Sequence, residues 1–166
     1  MHTAVQQYIC EMLGSYGQPD SVVEIGSYDV NGSIRPRFTK ALERHAYLGL
    51  DIRAGPGVDL VCDGAHYRPV KAVECVICCE VLEHAPNARA IVKNALRILR
   101  PGGLLVLTCA GEPRRPHGAD GLGLAPGEHY ANLTPVDLDR WLRKETLSHA
   151  VRHNQVLGDL YAWAIK

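Results

Sequence analysis

The residues best placed for chemistry fall in four short clusters. The first is Glu24-Ile25-Gly26-Ser27-Tyr28-Asp29-Val30-Asn31-Gly32-Ser33, a glycine-bearing polar loop that follows an apolar run. Its glycines allow close backbone approach to a ligand, and the loop leads towards a helix N-terminus, where unpaired N–H groups favour polar ligands. The second is Asp51-Ile52, 25 residues beyond Gly26, where a carboxylate can accept both hydroxyls of a ribose. The third, Asp63-Gly64-Ala65, can accept from the amino group of adenine. The fourth is Cys79-Glu80-Val81-Leu82-Glu83-His84. All four stand where apolar runs end, and together they describe a nucleoside-like ligand.

Residues 110–133 form a long polar, glycine-rich stretch carrying Glu112, His117, Glu128, His129 and Tyr130. A loop of that length is usually functional or mobile. His117 and His129 are the candidates for a general base, with Tyr130 orienting a substrate; the alternative is that all three are solvated loop residues. His84 acts either in the site or as a brace for its own loop, whereas His2, His149 and His153 are expected to be structural. Cys75 and Cys78 match C-x-x-C, but strand residues three apart point to opposite faces. No second pair stands at zinc-site spacing, so no metal is expected and the six cysteines are expected to be reduced thiols.

The elements that must position these clusters follow from periodicity. Val5, Tyr8, Ile9, Met12 and Leu13 have the spacing of a helix with one buried face, ended by Gly14 and Pro19. Strands are expected over residues 21–25, 46–50, 58–61, 72–78 and 104–109, with helices over 34–45 and 88–99 and a turn at Pro101-Gly102-Gly103. The strands are almost continuously apolar, as in parallel sheets covered on both faces. Thr134-Pro135-Val136-Asp137 reads as a helix start, with Thr as N-cap and Pro at the first turn. Two more strands, near 149–153 and 159–165, finish the chain. Alternating strands and helices specify an open, mostly parallel sheet with helices on both sides. Ligands of such sheets bind beyond the carboxyl ends of the strands.

Composition narrows the function. The 166 residues are 46% hydrophobic and 22% charged, and 18 basic side chains balance 18 acidic ones, which argues against a nucleic-acid surface. No segment approaches the roughly 20 apolar residues that span a bilayer, and the start of the chain lacks a signal-peptide pattern, so a cytoplasmic protein of one domain, 1–166, is expected. A dinucleotide site would want G-x-G-x-x-G, which the first loop does not supply.

The segments "VVEIGSYDVNGS", "YLGLDIRAGPGVDLVCDGAH", "CCEVLEHAPN" and "LRILRPGGLLVLTCAG", in this order and spacing over residues 20–145, resemble the class I methyltransferases dependent on S-adenosylmethionine (SAM), specifically the small methyltransferase type 11-like group. The resemblance implies a Rossmann-like, doubly wound α/β fold in three layers, its seven-stranded sheet closed by an antiparallel C-terminal hairpin. It further implies a cofactor, SAM, with S-adenosylhomocysteine as product. Gly26 and Ser27 would face its methionine part, Asp51 and Ile52 its ribose, Asp63, Gly64 and Ala65 its adenine. Glu80, Val81 and Leu82 would floor the sulfonium, with Glu24, Tyr28, Asp29, Asn31, Ser33, Cys79 and His84 completing the site. In the family's E-x-G-x-G-x-G loop a third glycine stands where Asp29 to Asn31 stand here. Ser27, Asp29 and Asn31 would then offer polar contacts instead of bare backbone. The implied activity is methyl transfer to an oxygen or nitrogen acceptor. The Asn/Asp-Pro-Pro-Tyr/Phe signature of base-amino methyltransferases is absent, so a small molecule, sugar, glycan or natural product is expected, with no nucleic-acid or membrane partner and a monomeric or homodimeric protein. The rival is a non-catalytic SAM-binding or scaffold subunit.

Overall fold

A computed structural model describes residues 3–166; His2, expected to be structural, lies outside the described residues. The first helix, α1 (Thr3–Tyr16), turns Val5, Tyr8 and Ile9 inward. It runs through Gly14, expected to end it, and stops at Gly17, whose φ of 90° suits a residue without a Cβ.

The strands are β1 (Val22–Ile25), β2 (Tyr47–Asp51), β3 (Leu60–Val61), β4 (Val73–Cys79), β5 (Leu99–Ala110), β6 (Ser148–Asn154) and β7 (Asp159–Ile165). They form one seven-stranded sheet in the order β3-β2-β1-β4-β5-β7-β6. The first five pair in parallel, and β7 is antiparallel to both β5 and β6. This is the expected Rossmann-like sheet with its antiparallel C-terminal pair. The chain runs outward through β2 and β3, then crosses back to place β4 beside β1. The crevice at that reversal is where ligands bind in open α/β sheets.

Other expectations fail locally: the strand expected over 58–61 is only the two-residue β3, and two larger differences stand out. The helix expected over 34–45 is split into a 3-10 turn, Arg35–Arg37, and a five-residue helix, α2 (Thr39–Glu43). Pro36 sits in the 3-10 turn, and Phe38 between them leaves helical geometry at φ −101°, ψ 59°. The turn expected at Pro101-Gly102-Gly103 is instead part of β5. Val73 pairs with Leu99 and Cys75 with Leu104, so the intervening residues are absorbed as an irregularity in the strand.

Successive residues of the central strands feed two cores. Val23, Ile25, Val76, Cys78, Leu105 and Leu107 pack with Ile91, Val92 and Ala95 of α3 (Ala88–Ile98) and with Leu138 and Leu142 of α4 (Pro135–Leu142). Val22, Cys75, Ile77, Leu104 and Val106 pack with Val5, Tyr8, Ile9, Phe38 and Ala41 on the other face. Each large side chain fully buried in these layers contributes about 1.5–3 kcal/mol. Cys75 and Cys78 lie in different cores, and all six cysteines are free thiols, Cys10 exposed, Cys62 partly buried and the others buried. At the start of α4 the Thr134 hydroxyl accepts from the Asp137 amide at 3.1 Å, the expected N-cap. Among the described residues no helix is long and apolar enough to cross a membrane.

Candidate functional site

Beyond the carboxyl ends of β1, β2, β3 and β4 lies a cleft of about 800 Å³. It is within the size range of small-molecule and cofactor sites. Of the residues named from the sequence, Gly26, Tyr28, Asn31, Asp51, Ile52, Asp63, Gly64, Cys79, Glu80, Val81, His84, His117 and His129 line it.

The β1 loop is held close to its neighbours. The Gly26 and Ser27 amides both donate to the Leu50 carbonyl, at 2.8 and 2.9 Å. Gly26 has φ 82°, and a Cβ there would stand 2.0 Å from Val81 Cγ2. Only glycine fits between the β1 and β4 ends, and the narrow gap brings bare backbone to the cleft.

Asp51, its side chain 13% exposed, accepts from the Arg53 amide at 2.9 Å through Oδ1 and approaches the Tyr28 amide at 3.4 Å through Oδ2. Arg53 lies over the Tyr28 ring at 4.7 Å from its centroid, closing that flank. Beside them Ile52, 72% exposed, offers an apolar ledge. Asp63 accepts from the Ala65 amide at 2.8 Å and from the Asn87 side-chain amide at 2.9 Å, which orient its carboxylate at the cleft.

The floor comes from the β4 end. Glu80 adopts φ 56°, an uncommon left-handed conformation for a residue with a side chain. Its backbone N–H donates to the Thr108 carbonyl at 2.9 Å, and its carboxylate accepts from the Thr108 hydroxyl at 2.9 Å and faces Arg114 at 3.5 Å. Arg114 also pairs with Asp159 of β7, so one guanidinium ties the start of the 110–133 loop to two strand ends. The loop's other limb returns through Ala131 N–H to the Glu83 carbonyl at 2.8 Å and Leu133 N–H to the Ala110 carbonyl at 2.9 Å.

Among the described residues, five carboxylates line the cleft, those of Asp51, Asp63, Glu80, Asp120 and Glu128, against one guanidinium, Arg53. Such a wall favours a cationic ligand and opposes a pyrophosphate.

His84, His117 and Tyr130 pack ring to ring, with centroids 4.9–5.4 Å apart. Burial, with His117 adding to it, pushes the His84 imidazole down to about 4, so it is neutral at pH 7. His117 Nδ1 lies 3.0 Å from the Arg115 carbonyl. A carbonyl only accepts, so Nδ1 carries a proton, and in the neutral ring Nε2 is the nitrogen with the free lone pair. Burial raises the Tyr130 phenol to about 12, and its hydroxyl donates to Asn132 Oδ1 at 3.1 Å. Beneath them Glu83 is completely buried. Its Oε1 accepts from the Ala110 amide at 3.1 Å, and burial together with nearby Glu80 raises its carboxyl to about 8.

Several residues named from the sequence lie off the cleft wall. Glu24 points into the α1 and α2 core, where it accepts from the Tyr47 hydroxyl at 2.7 Å. Ser27 is buried against Gly49 and Gly57. Asp29 caps the Gly32 amide at 2.7 Å, and Ser33 accepts from the Arg35 amide at 3.1 Å. Ala65 and Leu82 are core residues, and Tyr130 backs the two histidines without lining the cleft. Among the wall residues that the sequence alone did not single out are Arg53, Asn87, Asp120 and, as a cofactor-side group, Glu128. Asn87 had a signal, three residues beyond His84 and directly before a helix; Asp120 had none.

Residues 30–107 match the family model of a methyltransferase domain. A ubiquinone biosynthesis O-methyltransferase of Xanthomonas oryzae pv. oryzae is 26% identical over 143 residues, 77% of this chain and 56% of the relative. The chain thus spans little more than half the length of the curated relatives it matches. Among solved structures, the 1,6-didemethyltoxoflavin-N1-methyltransferase of Burkholderia thailandensis, with bound 1,6-didemethyltoxoflavin and S-adenosylhomocysteine, superposes with TM-score 0.70. It is 16% identical, over 99% of this chain and 78% of that one. The N-methyltransferase NodS of Bradyrhizobium japonicum, in complex with S-adenosylhomocysteine, gives TM-score 0.65 at 16% identity, over 96% and 84%. Residues 30–107 thus resemble a methyltransferase domain, and the fold is the one shared with these S-adenosylhomocysteine-bound methyltransferases.

Proposed function

We propose that this chain binds SAM in the cleft and transfers its methyl group to an oxygen or nitrogen of a small-molecule acceptor. The observation that carries the reading is the convergence of Gly26, Asp51, Asp63 and Glu80, from four strand ends, on one carboxylate-rich cleft. The residues suit the cofactor part by part. Asp51 would accept from the ribose hydroxyls, beside the Ile52 ledge. Asp63 would accept from the adenine amino group. The glycine-narrowed gap at Gly26 and the polar loop end at Asn31 would take the methionine portion. The carboxylate-rich wall matches a ligand that bears a sulfonium and an ammonium.

Bound SAM supplies an electrophilic methyl carbon whose transfer is an in-line displacement. The protein's task is alignment: Asp51 and Asp63 fix the nucleoside, and the β4 floor sets the reacting end opposite the loop. An acceptor hydroxyl must lose a proton as its oxygen bonds to carbon. His117, through Nε2, and His129, exposed on the same wall, are the groups that would accept it. The balanced charge of the chain and the matched relatives support a small acceptor over nucleic acid. Within this reading the described chain works as one domain.

Asp51→Ala tests the ribose assignment. Its loss should weaken S-adenosylhomocysteine binding about 10-fold or more, since hydrogen bonds to a charged group are worth about 1.5–3 kcal/mol. Unchanged affinity by calorimetry would remove Asp51 from the site.

A further inference from the structure

The β4 end and the 110–133 loop bring together three groups whose chemistry goes beyond proton transfer. Glu83, His84 and His117 each present one ligand-type atom, and these atoms lie within 4.8 Å of one another. Glu83 and His84 are neighbours on the 3-10 turn Leu82–His84, rooted directly after β4, while His117 comes from the loop above. Three features suit them to a cation. Glu83 uses only Oε1, on the Ala110 amide; Oε2 is buried with no partner among the described residues. A buried carboxylate oxygen left without a partner is unfavourable, and a bound cation would satisfy it. The His117 bond through Nδ1 to the Arg115 carbonyl leaves Nε2 as the donor atom. This is the outer-shell arrangement that fixes metal-ligating imidazoles. The His84 ring has no hydrogen-bond partner among the described residues and stands edge-to-face with His117 at 5.2 Å.

We propose that Glu83, His84 and His117 form a binding site for a divalent transition-metal ion, zinc(II) in the first instance, in the wall of the cleft. Two imidazoles and one carboxylate suit zinc(II), cobalt(II) and their first-row neighbours, whereas magnesium and calcium prefer all-oxygen shells. Metal–nitrogen bonds are about 2.0–2.1 Å long, so a bound ion would draw the three atoms together around it. Three protein ligands leave a coordination position open towards the cleft, because His84 and His117 line it. An acceptor oxygen is its natural occupant; that occupancy rests on the proposed methyl transfer, and the metal site does not. With His117 engaged, His129 is the cleft imidazole left to take a proton.

The test is titration of chelator-treated protein with cobalt(II), followed by its visible absorption and by competition with zinc(II). One equivalent per chain should bind with submillimolar affinity or better and give the bands of a nitrogen-ligated ion. His84→Ala and His117→Ala should each weaken binding at least about tenfold, and His153→Ala, on β6 and outside both the cluster and the cleft lining, should not change it. Glu83 is buried and its replacement can unfold the chain, so the two histidine variants are the deciding ones. No saturable binding to folded wild-type protein, or undiminished binding in both histidine variants, overturns the site. If the same protein binds metal but not S-adenosylhomocysteine, the proposed function falls and this site stands; the opposite pattern does the reverse.

Discussion

Asp51 and Glu24 show how one chemical group, the carboxylate, takes two roles by position. Asp51 closes β2 with its carboxylate at the cleft, held by the Arg53 amide. Glu24 lies one residue before the end of β1, and strand alternation turns it away from the cleft into the core, against Tyr47. Burial pushes the Glu24 carboxyl up from 4.5 to about 7. The folded chain therefore keeps a proton that the unfolded chain gives up above about pH 4.5. Stability from this group is present at acid pH, falls as pH rises through that window, and levels off above pH 7. Glu24→Gln should remove the slope, so that urea midpoints of the variant change less than wild type between pH 5 and 7. Equal pH dependence in both proteins would contradict the burial argument. The sequence shows that a carboxylate stands near a strand end, but its partner Tyr47 is 23 positions away. Nothing local announces that pairing.

At the scale of elements, the strand ends matter because β1 and β4 approach so closely. Gly26→Ala would drive a methyl group into Val81 at a positive φ. Overpacking of this kind costs about 1–3 kcal/mol. The variant should be less stable and should bind S-adenosylhomocysteine more weakly, as read by thermal unfolding with and without the ligand. Gly14→Ala, at a helical position with open space around it, should be neutral or stabilising. Wild-type behaviour of Gly26→Ala in both measurements would refute the close-approach account. The central strands, α3 and the α4 cap were legible because apolar runs, helical periodicity and Thr-Pro chemistry are local signals. The helix after β1 was not, since its periodicity hid the break around Phe38. The start of β5 was not either: Pro101-Gly102-Gly103 reads as a turn until pairing with β4 and β7 draws it into the sheet. The Glu83, His84 and His117 cluster was equally hidden, because a loop more than 30 residues away in sequence closes it.

For the whole molecule, equal numbers of acidic and basic side chains conceal an uneven distribution. Carboxylates concentrate at the cleft, while several arginines are engaged in ion pairs elsewhere, such as Arg35 with Asp59 and Arg100 with Glu74. That separation gives a neutral chain a cation-seeking site. The sheet order that creates the crevice was implied by the alternation of strands and helices and by the family resemblance. The contribution of the 110–133 loop to its wall appears only in three dimensions. The most direct test is calorimetric titration of the folded wild-type chain with SAM and with S-adenosylhomocysteine. One saturable site per chain is expected for each, with micromolar affinity, weakened in Asp51→Ala. Failure of both ligands to bind a protein whose circular dichroism and cooperative unfolding show it folded would contradict the account at its centre.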